Sequence, residues 1–265
     1  MSNKNFPIGV FDSGLGGLTV VKALMRNLPN EDIVYFGDTA RVPYGTKSRE
    51  AIVRFSKENT QLLLKHKVKM VVVACNSSSS YALPSLRKNF DVPVVGVIAP
   101  GVKKALQVTR NNRIGVIATS ATTKSEAYVK QIKKISSEAR VVSQACPLFV
   151  PLVEEGWINK GVTLNIAKEY LSQVRKAKVD TLILGCTHYP LLKPVLKKVM
   201  GSKVYLVDSA HEVSLEVGNY LNKMEIAEKG KRKPKYQFLS SDDPGHFCNM
   251  AKRFLNYNIK NVIKC

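Results

Sequence analysis

No run of apolar residues in this 265-residue chain is long enough to span a bilayer. The longest, such as Met70-Val71-Val72-Val73-Ala74-Cys75, reach about a third of the roughly 20 residues required. The opening residues, Met1 to Pro7, lack the apolar stretch of a secretory signal. No Cys-x-x-Cys spacing occurs, and the five cysteines are an odd number, which argues against a disulfide framework and against a zinc ribbon. These absences predict a cytoplasmic protein with reduced thiols and no membrane partner. Acidic residues are scarce, 20 against 41 Lys+Arg, for a net charge of +21. Such a charge suits a nucleic-acid binder. The basic residues are scattered, however, as Lys103-Lys104, Lys133-Lys134 and Lys197-Lys198, and only Lys229 to Lys235 is dense. No binding motif accompanies that cluster, so nucleic acid is not the favoured partner.

What is present is ordinary globular composition, 45% hydrophobic and 23% charged, enough for one large domain or two small ones. Short β-rich runs alternate with stretches of helical periodicity. The strand candidates are Ile8–Phe11, Ile33–Phe36, Met70–Ala74 and Val94–Ile98, then Ile114–Ile117, Arg140–Val142, Leu182–Leu184 and Val204–Val207. Their unbroken apolar character fits strands buried on both faces, and the alternation fits parallel α/β sheets with right-handed crossovers. The second set reads as a copy of the first. Ile8 corresponds to Ile114 at an offset of 106, Val34 to Val141 at 107, Cys75 to Cys186 at 111 and Val94 to Val204 at 110. Two pseudo-symmetric parallel-sheet α/β domains follow, with a site in the cleft between them. The expected division is 1–98 plus 210–265 for the first and 99–209 for the second. The stretch from His211 onward reads as mostly helical, with a short segment at Tyr236–Leu239, and packs back on the first domain. His246 falls in a late turn, Asp243-Pro244-Gly245.

Each third strand ends at a cysteine: Ala74-Cys75-Asn76-Ser77-Ser78 in one half, Gly185-Cys186-Thr187-His188-Tyr189 in the other. Ligands of open α/β sheets bind at such carboxyl ends. A thiol there, close to helix N-terminal amides, is expected to have a lowered pKa. One such cysteine is more simply a small core residue. Two at repeat-equivalent positions suit inversion of a carbon centre, where a proton leaves one face and another arrives on the opposite face. His188 either tunes Cys186 or is hydrogen-bonded into its loop. Cys186 and His188 lack a complementary ligand pair, so no metal site is assigned. Cys146, Cys248 and Cys265 are read as incidental. Phe11-Asp12-Ser13-Gly14-Leu15-Gly16-Gly17-Leu18 is a strand, Gly-rich loop and helix start able to wrap amides around an anion. It is neither a P-loop nor a dinucleotide fingerprint, since Thr19 stands at the third Gly position. Pro43-Tyr44-Gly45 is a turn that can present amides to the cleft. Asp38 and Arg41 either pair with each other or touch substrate.

At these residues the chain resembles the glutamate racemases of the cofactor-independent aspartate/glutamate racemase superfamily. The matching segments are Gly9–Thr19, Phe36–Gly45, Ala74–Asn76, Pro151–Gly156 and Gly185–Leu192. The resemblance implies proton transfer at Cα of glutamate with no PLP or metal cofactor, supplying D-glutamate for peptidoglycan. It implies that Cys75 deprotonates D-glutamate and Cys186 L-glutamate. It also implies that Asp12, Ser13, Tyr44, Gly45, Asn76, Ser77, Thr187 and His188 line the substrate pocket, and that the protein is a homodimer. Two departures stand out: Ser77 where the family usually has Thr, and Ala99 where it often has Glu. An aspartate or broad-specificity racemase is the alternative within the same chemistry, and a basic nucleic-acid-associated protein the alternative outside it.

Overall fold

The computed structural model describes residues 3–230, 232–255, 257, 259 and 261–265. Met1, Ser2, Lys231 of the basic cluster, Asn256, Asn258 and Lys260 lie outside the described residues. Ten strands form two parallel sheets among the described residues. The first sheet contains β1 (Ile8–Asp12), β2 (Ile33–Gly37), β3 (Met70–Val73) and β4 (Val94–Gly96), joined late in the chain by β9 (Tyr236–Ser240) and β10 (Ile263–Lys264). The second contains β5 (Arg113–Ala118), β6 (Arg140–Ala145), β7 (Thr181–Gly185) and β8 (Tyr205–Asp208). The strand orders are β10-β9-β2-β1-β3-β4 and β6-β5-β7-β8. Apart from the two late strands, the second order reproduces the first.

Every residue of β1 to β4 and of β7 is buried, because helices cover both faces of each sheet. Each large aliphatic side chain removed from water in this way contributes about 1.5–3 kcal/mol. Strand β6 stands at the edge of its sheet, half exposed, and carries Arg140, Ser143 and Gln144, the polar dress that keeps an edge from pairing with another chain.

The register corrects two of the repeat correspondences. Ile8 pairs with Met70 and Ile114 with Thr181, so the 106 and 111 offsets describe matching positions. Across the other neighbour, Ile8 pairs with Ile33 and Ile114 with Val141, so Val141 matches Ile33 and not Val34. Val71 pairs with Val94 and Leu182 with Leu206, so Val94 matches Leu206; Val204 precedes β8. Equally apolar neighbours make such one- and two-residue slips invisible in composition.

Other boundaries move as well. The fourth strand stops at Gly96, and Ile98 opens a helix to Val108. Helix Pro244–Leu255 takes up His246, which was expected in a turn; Pro244 is a good first helical residue because its missing N–H has no intrahelical partner to lose. No helix among the described residues is long and apolar enough to cross a membrane. Part of the basic cluster is paired: Arg232 donates to both oxygens of Asp32 at 2.9 Å, and Asp32 also accepts from the Lys235 amide.

Candidate active site

Strands β1, β2 and β3 and their counterparts β5, β6 and β7 point their carboxyl ends at one cavity of about 370 Å³. Of the ten residues anticipated for the site, Ser13, Tyr44, Gly45, Cys75, Asn76, Ser77, Cys186, Thr187 and His188 line it. Asp12 sits behind the wall. It is fully buried, and its Oδ2 accepts from the amides of Gly14 (3.2 Å) and Gly17 (3.0 Å), which folds the Gly-rich loop back over the strand end. Tyr35 ties the same loop from below by donating to the Gly14 carbonyl at 2.6 Å.

Gly16 permits a close approach between the halves. A Cβ there would lie 2.3 Å from Thr187 Oγ1 and 2.4 Å from His188 Nδ1, distances no packed side chain tolerates. Three residues on, in the first turn of the following helix, Thr19 donates its hydroxyl to the Thr187 carbonyl at 3.0 Å. The loop of the first half thus holds the cysteine loop of the second.

Both thiols are nearly enclosed, Cys75 at 5% and Cys186 at 6% exposure, so the cavity is their route to solvent. Each follows a buried strand. Cys75 is the N-cap of helix Asn76–Tyr81, and Cys186 precedes the turn Tyr189–Leu192. Their surroundings differ in charge. Cys75 is pushed up to about 12 by burial and then by the negative charge of Asp12, which outweigh the opposing influence of the polar groups of Ser78 and Ser13 beside it. The expected lowering by helix amides is therefore overridden at Cys75, because those few donors do not replace lost water. The Cys186 sulfur lies 3.9 Å from His188 Nδ1, and His188 Nε2 lies 3.0 Å from Glu154 Oε1. Burial works against a charge on His188, but its bonds to Cys186 and Glu154 prevail and raise it to about 10.

The hydroxyl of Ser77, where the family usually has Thr, lies 3.0 Å from Thr119 Oγ1 and 3.2 Å from Thr122 Oγ1, spanning the two halves. Tyr128 of the second half donates to Asn76 Oδ1 at 2.7 Å. Ala99 is half-buried in the first turn of helix Ile98–Val108 and does not line the cavity. Asp38 and Arg41 pair with each other, Nε to Oδ2 at 2.7 Å, outside the cavity lining.

Sequence reasoning missed Val42, Thr46, Thr119, Ser120, Pro147, Val150, Pro151 and Glu154 as lining residues. The repeat carried the signal for one of them: Thr119 stands 106 residues after Ser13, the β1-to-β5 offset. Pro147 to Glu154 follow β6 as Val42 to Thr46 follow β2, so the wall is duplicated too. Among the described residues no group of three or more His, Cys, Asp or Glu side chains has the arrangement of a metal site.

Comparison with known proteins agrees over the full length. The sequence model of the Asp/Glu/Hydantoin racemase family matches residues 8–213. The glutamate racemase of Geobacter metallireducens is 49% identical over 255 residues, covering 96% of this chain and 94% of that protein. The crystal structure of a glutamate racemase isoform from Bacillus anthracis superposes with a TM-score of 0.96 at 38% identity, covering 99% of this chain and 98% of that one. That of Francisella tularensis glutamate racemase in complex with D-glutamate gives 0.93 at 40% identity, with 99% and 98% covered. With two sheets of matching order, paired cysteines at matching strand ends and relatives of this closeness, the chain belongs to the Asp/Glu/Hydantoin racemase family and, within it, to the glutamate racemases.

Proposed function

We propose that the chain interconverts L- and D-glutamate by removing a proton from one face of Cα and returning one to the other, with Cys75 and Cys186 as the two bases. The observation that carries this reading is that two nearly enclosed thiols at register-equivalent strand ends line one small cavity. With D-glutamate, the Cys75 thiolate takes the Cα proton. The electron pair left on carbon delocalises into the α-carboxylate, and the Cys186 thiol donates its proton from the opposite face. The product is L-glutamate, with Cys75 as thiol and Cys186 as thiolate, and L-glutamate reverses each step.

Substrate charges find partners in the same cavity. The amides of Asn76 and Ser77, and those of Thr187 and His188, follow the two cysteines and suit an α-carboxylate whose negative charge grows as the proton leaves. The Tyr44–Thr46 turn, with Thr119 facing Gly45, suits the side-chain carboxylate. Asp12 raises Cys75 through its charge, and a substrate ammonium nearby would offset that charge and ease formation of the thiolate. Ser13 completes the wall beside Cys75.

On this reading the two units are residues 1–98 with 210–265, and 99–209, working as a homodimer in the cytoplasm. The reaction needs no added cofactor, and D-glutamate passes to peptidoglycan synthesis. The test is circular dichroism of L- and of D-glutamate incubated with purified protein, repeated with aspartate. Both glutamate signals are expected to decay to zero while aspartate stays unchanged. An unchanging glutamate signal overturns the reading.

A further inference from the structure

Tyr44, Gly45 and Thr46 form one wall of the cavity, yet the turn they make is only three residues long and is held from outside. The Tyr44 hydroxyl donates to Asp38 Oδ2 and accepts from Asn59 Nδ2 at 3.1 Å. Asp38 is fully buried, so its carboxylate depends on having donors around it. Oδ2 also receives Arg41 Nε at 2.7 Å. Oδ1 receives the hydroxyl of Ser241 at 3.0 Å, from the segment just past β9. The Ser241 oxygen in turn accepts from the Ala40 amide at 2.9 Å. Beside it, Thr39 Oγ1 lies 2.7 Å from Ser240 Oγ and accepts from the Asp242 amide at 3.0 Å. The loop that carries the wall is thus clamped to the end of a strand some two hundred residues away. Ser241 neither lines the cavity nor falls within the 8–213 family match.

We propose that Ser241 is a positioning residue: acting through Asp38 and the Ala40 amide, it fixes the Tyr44–Thr46 wall and so sets the affinity for the substrate's side-chain carboxylate. The proposal rests on the glutamate reading above. Without the Ser241 hydroxyl, Asp38 Oδ1 loses the donor that faces it, and the loop must shift or admit water to supply another. Tyr44 shifts with it, because its hydroxyl is bonded to the same carboxylate. The wall grips the substrate away from Cα, where no charge changes during proton transfer. Its displacement therefore weakens ground-state and transition-state binding alike, which raises KM and leaves kcat nearly unchanged. Mirror-image substrate and product have equal free energies, so kcat/KM must fall by the same factor in both directions.

The test measures kcat and KM for both enantiomers with wild type, Ser241→Ala, Ser241→Thr, Tyr44→Phe and the Ser241→Ala/Tyr44→Phe double variant. Ser241→Ala is expected to raise both KM values about tenfold, the scale of a hydrogen bond to a charged group, with kcat within about twofold of wild type. Ser241→Thr, which keeps the hydroxyl, is expected to restore KM. The double variant is expected to lose less than the product of the single losses, because both act through Asp38. Ser241→Gly supplies the same readout should Ser241→Ala fold poorly. A KM within about twofold of wild type, a fall in kcat at unchanged KM, or single losses that multiply in the double variant would each overturn the proposal. Wild type that fails to racemise glutamate overturns the underlying reading instead, and the proposal with it.

Discussion

Cys75 and Cys186 stand at the same register position of two matching strand pairs. Ile8 faces Met70 across β1 and β3 as Ile114 faces Thr181 across β5 and β7, and each cysteine follows that partner by five residues. The equivalence places one thiol from each half at one cavity, and it leads directly to what each sulfur should do.

Replacing either thiol should stop inversion. Cys75→Ala and Cys186→Ala are each expected to lower racemisation by at least about a thousandfold, since one face of Cα then has no group to take or return a proton. In heavy water the wild-type product formed early should carry deuterium at Cα while unreacted substrate keeps protium, read by proton NMR. Full activity in either alanine variant would remove the two-base assignment.

The pH dependence has a fixed form. On the proposed two-thiol reading, L-glutamate requires the Cys186 thiolate with the Cys75 thiol and D-glutamate the reverse, two tautomers of one ionisation state, so kcat/KM in both directions follows a single curve. Losing the first thiol proton raises activity and losing the second ends it. Burial and Asp12 hold Cys75 up near 12 in the free protein, so the second loss lies far into alkali. The expected profile shows no descending limb below about pH 9 and superimposes for the two enantiomers. Divergent curves would contradict it.

Stability should carry the mark of His188. An unfolded histidine titrates near 6.5, and in the folded chain the bonds to Cys186 and Glu154 overcome the burial penalty and raise this one to about 10. A raised folded pKa stabilises fully below the unfolded value and ceases to do so as pH climbs through the folded one. The gap in unfolding free energy between wild type and His188→Gln is therefore expected to be constant in acid and to shrink between about pH 6.5 and 10, measured by urea titration. A gap that widens with pH would refute the ion-pair account.

Gly16→Ala tests the contact between the halves. The added methyl would meet Thr187 Oγ1 and His188 Nδ1 far inside contact distance and push the Cys186 loop away. Activity is expected to fall about a hundredfold, against a stability loss of about 1–3 kcal/mol, read by steady-state rates and urea melts. Near-normal rates would mean the loop yields without moving the thiol.

Far from the cavity, Lys69 Nζ meets Glu31 Oε2 at 2.5 Å and donates to the carbonyls of Lys4 and Ile226 at 2.9 Å, with both side chains buried. Lys69→Met should destabilise by about 3–5 kcal/mol because it strands a buried carboxylate, and adding Glu31→Leu should recover most of that. Rates per folded molecule should not change in either variant. A double variant as unstable as the single one would show that the charge pair is not the cause.

Much of the architecture was legible in the chain itself. Continuous apolar runs such as Met70–Ala74 and Leu182–Leu184 mark strands covered on both faces, and the cysteine just beyond each marks the candidate site. The outcome for individual neighbours was less legible. Asp38 and Arg41 pair with each other, although their spacing served equally for substrate contact. Glu154 meets His188 although 34 residues separate them.

Strand–helix alternation, the doubled arrangement and the two thiols are readable along the chain, because side-chain period and buried apolar character are local properties written residue by residue. Folding settled the strand register, the contact of Glu154 with His188, the clamp from Ser241 to Asp38 and the upward shift at Cys75. Those depend on which distant groups share a desolvated space, and both hydrogen bonding and the cost of charge are set by that neighbourhood and not by position along the chain.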